Sequence, residues 1–418
     1  MSKLYNQQQT VFALCSIANT PSGRHGSVEQ LQHYSKKIIQ KVFKDTQVTG
    51  LIGHWKLVWG TQVYQVPGST VADNAMFVAQ NTESEHEFVI AISGTNPISA
   101  YGWVIEDAKL IPTVAWPYKS DNSNITGEIA NGTSIGLNVL LNKLSDKGLT
   151  LNDFLRQQAA SYAEKLSITV TGHSLGGALS PAVALALKDT KNNWAPHCSV
   201  NIAVQPSAGP TPGNDAWSEY YTDSLGDVTN RLWNKIDMVP HAWQSSMLAE
   251  IPTLYDPEIP GDRLIKKLVK LAELNSKLAG NMQQICPSSQ PLAGTVNSEA
   301  NITIQGFIII LETLIANNLI DKLDLTKVEI RLIKDLIGHW ITYLNKQDDL
   351  SQSHRTPAIV SRLETDGKKA LESLWPDFKN FIDFFKQVGY QHTTAYSILL
   401  NTSAFEARVT IIKDGIDF

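Results

Sequence analysis

The stretch Thr171-Gly172-His173-Ser174-Leu175-Gly176-Gly177 decides how this chain is interpreted. It fits the pattern Gly-x-Ser-x-Gly, with a β-branched run at residues 167–171 before it and an apolar helical pattern at 178–187 after it. A serine on a tight strand-to-helix turn exposes its hydroxyl and leaves the next backbone N–H free, and only small neighbours permit that turn. Isolated Gly-x-Ser-x-Gly patterns also occur in surface loops, but the flanking strand and helix favour a nucleophile. We therefore predict that Ser174 is a catalytic nucleophile.

Strands and helices alternate on both sides of this segment. The run at residues 88–92 is apolar without alternation, which is expected of a strand covered on both faces. Helices are predicted at 6–18, 27–43, from about 132 and from 178, and further strands at 55–66, 76–80, 167–171, 200–204 and 228–233. This order predicts an α/β fold with a mainly parallel central sheet flanked by helices.

Residues 260–387 have a different character. Helical periodicity appears at 263–278, 302–319, 328–344 and 367–388, without a convincing strand. We interpret this region as a helical insertion or subdomain, a candidate lid or cap, in a core formed by residues 1–259 and 388–418.

Composition excludes several classes of partner. The net charge is −5 without a long basic run, which argues against nucleic acid and against an electrostatically bound membrane. The apolar stretch at 307–311 ends at Glu312, too soon for an integral membrane span, and the N-terminus does not resemble a cleavable signal peptide. The three cysteines lack metal or disulfide spacing. We expect a soluble protein, cytoplasmic by default, with export without a cleaved signal left open and the oligomeric state undetermined.

Asp237 is predicted to be the acid of the site. A serine hydroxyl becomes nucleophilic when a base takes its proton, and a third group must orient that base. In sheets of this kind the order along the chain is nucleophile, acid, histidine. Asp237 follows a predicted strand and precedes Val239-Pro240, which favours an extended exit from the loop. The alternatives lie in a stretch typical of a solvated loop: Asp215, Asp223 and Asp227.

His392 is predicted to be the base. It follows the helical region, where a loop can return to the carboxyl edge of the sheet. Three other histidines are less suitably placed. His241 shares a loop with the acid, His339 lies within a helical pattern, and His354 lies in a polar connector.

Acyl transfer also needs backbone N–H donors for the charge that develops on the carbonyl oxygen. The N–H of Leu175, directly after the nucleophile, is one candidate. The turn that follows the strand at 88–92 supplies the other, because Gly94 permits close approach and Thr95 can add a hydroxyl donor. We predict an oxyanion hole formed by Thr95 and Leu175.

With these residues placed, the sequence resembles the class 3 lipases, the α/β-hydrolase family that includes the triacylglycerol lipases of filamentous fungi. Four segments match in family order: residues 88–95 with Trp103, 170–177, 206–214 and 231–240. Two features depart from the family. The acidic residue that supports the oxyanion residue in the family would here have to be Glu106 or Asp107. The segment between Asp237 and His392 is also much longer than in the family. The resemblance implies an α/β-hydrolase-like fold with a large helical insertion near the C-terminus.

The resemblance implies a serine esterase that acts on lipids through Ser174, Asp237 and His392, with no cofactor and no metal. The leading expectation is a triacylglycerol lipase, whose partners would be a lipid ester and, transiently, a lipid interface. Phospholipase A1 and short-chain carboxylesterase remain open. Two alternatives are not enzymes. One is a catalytically inactive lipid- or partner-binding module on the same fold, and the other is an interaction protein organised by the insertion.

Family members often cover the site with a mobile amphipathic lid. Residues 111–118 occupy the corresponding place and suggest exposed aromatic side chains. The helical pattern at 304–315 is a second candidate, for which a permanently packed subdomain is the alternative.

Overall fold

The structure is a computed structural model that describes residues 3–94, 112–118, 127–162, 165–301 and 378–416, Phe418, and isolated positions between 321 and 338. The predicted helices at 302–319 and most of 328–344 lie outside these residues.

A five-stranded sheet forms the centre of the described part, in the spatial order β1-β2-β3-β6-β7. The first two pairs are antiparallel, and the pairs β3/β6 and β6/β7 are parallel. The parallel part contains the strand that leads to Ser174. The five strands are β1 (Trp55–Tyr64), β2 (Asn74–Asn81), β3 (Glu87–Ile92), β6 (Leu166–His173) and β7 (Val200–Ser207).

A second, small sheet lies beside the first, in the order β4-β5-β8-β9. Its two-residue strands are β4 (Val114–Ala115), β5 (Glu128–Ile129), β8 (Gly213–Asn214) and β9 (Met282–Gln283). Asn214 links this sheet to the helix that follows, because its side chain accepts hydrogen bonds from the N–H groups of Glu128 and Trp217.

Helices cover both faces of the central sheet. The predicted pattern at 6–18 is α1 (Gln7–Ala18), and the pattern at 27–43 is α2 (Val28–Lys44). The helix expected near residue 132 is short and continues into a π-helical segment at Val139–Lys143. The remaining helices are α3 (Thr46–Ile52), α4 (Asn131–Asn138), α5 (Leu151–Ser161), α6 (Leu175–Asp189), α7 (Lys191–Trp194), α8 (Asp215–Leu225), α9 (Ser245–Leu248), α10 (Arg263–Leu278), α11 (Phe378–His392), α12 (Thr394–Leu399) and α13 (Ser403–Asp414).

Strand β3 shows how the sheet is held between two cores. Phe88, Ile90 and Ile92 enter a core shared with α4, α5, α6 and α8. Val89 and Ala91 enter the opposite core, shared with α1, α2, α3 and α13. The continuous apolar run therefore has the predicted cause: both faces of the strand are buried. The predicted fold class, a helix-flanked α/β sheet of the α/β-hydrolase type, is confirmed.

The strand predicted at 228–233 is not a regular strand. Its backbone meets β7 in parallel only at isolated bridges, Thr229 to Val204 and Leu232 to Ser207. The physical reason lies in β7, because Pro206 has no N–H to donate and the ladder cannot continue through it. The segment still follows the edge of the sheet, since the N–H of Leu232 donates to the Pro206 carbonyl at 2.9 Å.

The described part of the region 260–387 packs against the core. Ile265 and Val269 of helix α10 line one small apolar cavity together with Phe384 of α11 and Met238. The expectation of no strand in this region is wrong at β9, which pairs with β8. Two residues are too few to give an alternating pattern in the sequence.

The aromatic side chain at the centre of residues 112–118 is not exposed as expected. Trp116 is buried in the main core, and its indole N–H donates to Asp189 at 2.8 Å. The apolar ring and its hydrogen bond both hold this part of the first lid candidate against the core, while Ile111 and the second candidate lie outside the described residues.

Candidate active site

Ser174 stands alone between β6, which ends at His173, and α6, which begins at Leu175. Its backbone has φ 59° and ψ −123°, a conformation that costs a non-glycine residue free energy. Its neighbours must be small: a Cβ on Gly172 would lie 2.2 Å from the Gly176 carbonyl oxygen. The turn predicted from the Gly-x-Ser-x-Gly pattern is therefore present, with the steric demands that the pattern implied.

Gly177 gives a stability test of this packing. A Cβ there would lie 2.3 Å from the Ser207 carbonyl oxygen, which β7 holds rigidly. We expect Gly177→Ala to lower the free energy of unfolding by at least about 2 kcal/mol, because backbone must move to admit the methyl group. The matched control is Gly50→Ala in α3, where a Cβ meets nothing within 4 Å and a gain of roughly 0.5–1 kcal/mol is expected. Urea unfolding measures both, and equal midpoints for Gly177→Ala and the wild type would contradict the packing.

The structure brings together Ser174, His392 and Asp237. His392 Nε2 lies 2.8 Å from Ser174 Oγ, and His392 Nδ1 lies 2.9 Å from Asp237 Oδ2. All three residues are buried. With Nδ1–H donated to the carboxylate, Nε2 is free to accept the proton of the serine hydroxyl. His392 was expected in a loop, but it is the last residue of α11, so a helix end rather than a loop delivers it.

Tyr396 is a further member of this network, and sequence reasoning did not assign it a role. Its hydroxyl donates to Asp237 Oδ2 at 2.9 Å and accepts from the Asn234 N–H at 2.9 Å. The other carboxylate oxygen, Oδ1, accepts from the Val239 N–H at 3.1 Å. Burial raises the pKa of Tyr396 well above its usual value, so the hydroxyl keeps its proton and remains a donor. The only feature of the sequence that could have indicated this role is that Tyr396 follows His392 by four residues.

We expect Tyr396→Phe to lower kcat for ester hydrolysis about tenfold with little change in KM, because the lost hydrogen bond orients Asp237 without touching substrate. Steady-state kinetics on a soluble ester measures this split. Tyr390→Phe on α11 is the matched control and should retain wild-type kcat. If the Tyr396→Phe variant had an unchanged kcat, Tyr396 would not be needed to position Asp237.

His173 and His241 lie close to the site in supporting positions. His173 Nε2 lies 2.7 Å from the His392 carbonyl oxygen, and burial lowers the pKa of His173 to about 3. The neutral ring therefore donates to that carbonyl and holds the end of α11. His241, the alternative in the acid loop, has Nδ1 2.8 Å from the Asp237 carbonyl oxygen. The alternatives His339 and His354 lie outside the described residues.

The start of the predicted oxyanion turn lies against Ser174. A Cβ on Gly94 would be 2.8 Å from the His173 carbonyl oxygen, so glycine is what allows this approach. The Gly94 N–H donates to Asn19 Oδ1 at 2.8 Å, and Ser22 Oγ donates to the Gly94 carbonyl at 3.1 Å. Sequence reasoning missed both of these N-terminal contacts, which have no local signature.

The structure describes only one of the two predicted oxyanion donors. Leu175 is the first residue of α6, so its N–H has no acceptor within the helix, and none is found for it among the described residues. Thr95 lies outside the described residues, as do Trp103, Glu106 and Asp107.

A pocket of about 380 Å³ opens beside Ser174. Helices α1, α12 and α13 and the turn at Gly94 contribute to its walls. Two charged side chains of α13, Glu406 and Lys413, are among the lining residues. Within the described ranges, no group of three or more His, Cys, Asp or Glu residues is arranged to hold a metal ion. The described helices also include none with the length and apolar character needed to cross a membrane.

Comparison with known proteins shows which family these features resemble. The model of the class 3 lipases matches residues 89–246, a range that contains Ser174 and Asp237 but not His392. Phospholipase A1-II 1 of Oryza sativa is 29% identical over 174 residues, 40% of this chain and 43% of that protein. A lipase of Rhizopus niveus is 31% identical over 100 residues, 23% of this chain and 24% of that protein. The matches thus span less than half the length of these curated relatives.

A solved structure extends the likeness over most of the fold. The crystal structure of M37 lipase superposes with a TM-score of 0.64 at 29% sequence identity, covering 80% of this chain and 100% of that chain. The family match covers the parallel part of the sheet, the turn at Ser174 and the loop of Asp237. Over residues 89–246 this chain is similar to the class 3 lipase family.

Proposed function

We propose that this chain hydrolyses carboxylic ester bonds of lipids, with Ser174 as nucleophile, His392 as base and Asp237 as the residue that orients the base. The observation that carries the proposal is the continuous hydrogen-bonded series from Ser174 Oγ through His392 to Asp237, at a strained turn beside a pocket. The names of the relatives, a phospholipase A1 and a lipase, support a lipid as the substrate.

In the acylation half of the reaction, Ser174 Oγ attacks the ester carbonyl carbon while His392 Nε2 takes the hydroxyl proton. The resulting imidazolium is stabilised by Asp237 across the 2.9 Å contact. His392 then gives the proton to the oxygen of the departing alcohol as the ester C–O bond breaks. Ser174 is left acylated and the imidazole is neutral again.

Deacylation repeats these steps with water. His392 Nε2 removes a proton from a water molecule, whose oxygen attacks the acyl carbon. The proton returns to Ser174 Oγ as the acyl–serine bond breaks and the carboxylic acid leaves. In both halves the tetrahedral intermediate carries an oxyanion, which we assign to the N–H groups of Leu175 and Thr95, and loss of one such donor costs roughly 100- to 1,000-fold in rate.

The remaining candidate enzymes differ in the class of lipid that they hydrolyse. The sequence predicts a triacylglycerol lipase, whose substrate has a third acyl chain, whereas a phospholipase A1 receives a phosphate-linked headgroup instead. The inactive binding module is disfavoured by the 2.8 Å contact between His392 and Ser174, since that alternative depends on their separation.

The test uses p-nitrophenyl esters from acetate to palmitate with the full chain, in the absence and presence of a lipid interface. We expect turnover, and we expect diethyl p-nitrophenyl phosphate to inactivate the protein by transferring one diethylphosphoryl group to Ser174 as p-nitrophenolate leaves. Peptide mass spectrometry identifies the modified residue. No turnover at any chain length together with no labelling of Ser174 would favour the binding module.

A further inference from the structure

Gly94 lies just beyond the end of a central strand. The regular pairing of β3 with β6 ends at Ile92, and the N–H of Ser93 still donates to a carbonyl of β2 at 2.9 Å. The backbone groups of Gly94 have partners outside the sheet, in the side chains of Asn19 and Ser22. Backbone polar groups that leave a sheet need such partners, and the partners then decide how the chain continues.

Both partners belong to one turn at the end of α1. The Gly94 N–H donates to Asn19 Oδ1 at 2.8 Å, and the Gly94 carbonyl accepts from Ser22 Oγ at 3.1 Å. The turn is itself closed by a hydrogen bond from the Ser22 N–H to the Asn19 carbonyl at 3.0 Å. Leu14 and Ile17 anchor α1 in the core. A firmly anchored turn therefore holds Gly94 at both its N–H and its C=O.

This contact lies directly beside the nucleophile assigned above. A Cβ on Gly94 would lie 3.0 Å from the Cβ of Ser174, and Asn19 and Ser22 both line the pocket that opens there. The carbonyl carbon of Gly94 is bonded to the nitrogen of Thr95, the second oxyanion donor of the proposed function. A peptide unit is planar, so a hydrogen bond that fixes its C=O also fixes the direction of its N–H.

We propose that Asn19 and Ser22 are positioning residues for the oxyanion turn, because they hold Gly94 on both sides and so set the direction of the N–H that follows it. An oxyanion donor is effective only when it is aimed before the charge develops. The proposal rests on the proposed function, and it makes α1 a part of the fold on which catalysis depends. Both residues lie outside 89–246, the range that matches the class 3 lipases.

Steady-state hydrolysis of p-nitrophenyl butyrate tests the two hydrogen bonds separately. Asn19→Ala and Ser22→Ala should each lower kcat about tenfold. The double variant should approach the roughly 100-fold loss that removal of a whole donor causes. The oxyanion is absent from the bound substrate, so the loss should fall on kcat with little change in KM. Ser22→Thr keeps the hydroxyl group and should keep most of the wild-type kcat.

The matched controls are Ser69→Ala and Asn81→Ala, at residues that are not among those lining the pocket. Ser69 Oγ donates to the Val71 carbonyl at 3.0 Å, and Asn81 Oδ1 accepts from the Glu83 N–H at 2.9 Å. Each control therefore loses the same kind of hydrogen bond as its counterpart, and it should keep the wild-type kcat. Thermal unfolding compares the stability of all the variants.

Three kinetic outcomes would overturn the positioning role. One is an unchanged kcat in both Asn19→Ala and Ser22→Ala. Another is a raised KM with unchanged kcat, which would indicate that the side chains contact the substrate directly. The third is an equal loss of kcat in the controls or in Ser22→Thr, which would indicate a general structural effect.

Hydrogen–deuterium exchange separates the positioning role from the hydrolytic function. Mass spectrometry of peptides that overlap at Gly94 measures its N–H in the Ser174→Ala background, which needs no turnover. Asn19→Ala in that background should raise the exchange rate of this N–H about tenfold or more. An unchanged rate would overturn the role of Asn19 even if the wild type hydrolyses esters. Faster exchange together with no ester hydrolysis by the wild type would refute only the proposed function.

Discussion

Replacing Ser174 with alanine is expected to lower kcat for ester hydrolysis by at least about 10⁴-fold. The variant keeps the Cβ atom and the strained turn, but it has no Oγ to attack the carbonyl and no proton for His392 to accept. The residual rate would come from binding and from the oxyanion donors, which the substitution leaves in place. Hydrolysis of p-nitrophenyl butyrate by purified variant and wild type measures the ratio.

Ser180 provides the matched control for this substitution. It is a buried serine on α6, the helix that begins directly after Ser174, and its hydroxyl has no hydrogen-bond partner among the described residues. Ser180→Ala should keep wild-type kcat and should not lose stability, because it removes an unsatisfied hydroxyl. If Ser174→Ala kept more than a few per cent of wild-type kcat, the nucleophile would have to be another residue.

The parts of the site nearest the sheet could be predicted because their signals are local. The run at 88–92 is apolar because both faces of β3 are buried, and the glycines around Ser174 are imposed by contacts between backbones a few residues apart. The order of nucleophile, acid and histidine then limited the choice of the other two residues. These inferences needed no knowledge of how distant segments pack.

The supporting residues could not be predicted because their partners are distant in the chain. Asn19 holds Gly94, and Tyr396 joins Asn234 to Asp237, through contacts that only the folded topology creates. The stretch containing Asp215 and Asp223 was expected to be a loop, yet it is helix α8, whose start is fixed by the Asn214 side chain. Its polar surface resembles a loop because one face of the helix is solvated.

Helix α13 shows the same limit for residues that line the pocket. Phe405 and Val409 pack into the core on one side of the helix, which is the amphipathic pattern that the sequence displays. Glu406 and Lys413 belong to the polar side, and an ordinary helix would present that side to solvent. They line the pocket because α1 and α12 enclose that side, an arrangement that periodicity alone does not encode.

Asp237→Asn is expected to lower kcat about 10⁴-fold while leaving the fold intact. In the wild type, Asp237 Oδ2 accepts from both His392 Nδ1 and the Tyr396 hydroxyl, and Oδ1 accepts from the Val239 N–H. An asparagine must place its NH₂ group at one of these positions. At Oδ2 it faces His392 Nδ1 and the Tyr396 hydroxyl, and at Oδ1 it faces the Val239 N–H and, at 3.2 Å, His392 Nδ1.

The least unfavourable arrangement lets His392 change tautomer, so that Nδ1 accepts from the amide and the proton moves to Nε2. That proton then points at Ser174 Oγ across the 2.8 Å contact, and the imidazole is no longer able to remove the hydroxyl proton. The loss should therefore fall on kcat, with KM and the unfolding midpoint close to wild type. Asp223→Asn, the same substitution at an exposed position on α8, should keep wild-type kcat. If Asp237→Asn retained wild-type kcat, His392 would be correctly oriented without the carboxylate, and the acid of the site would have to be sought elsewhere.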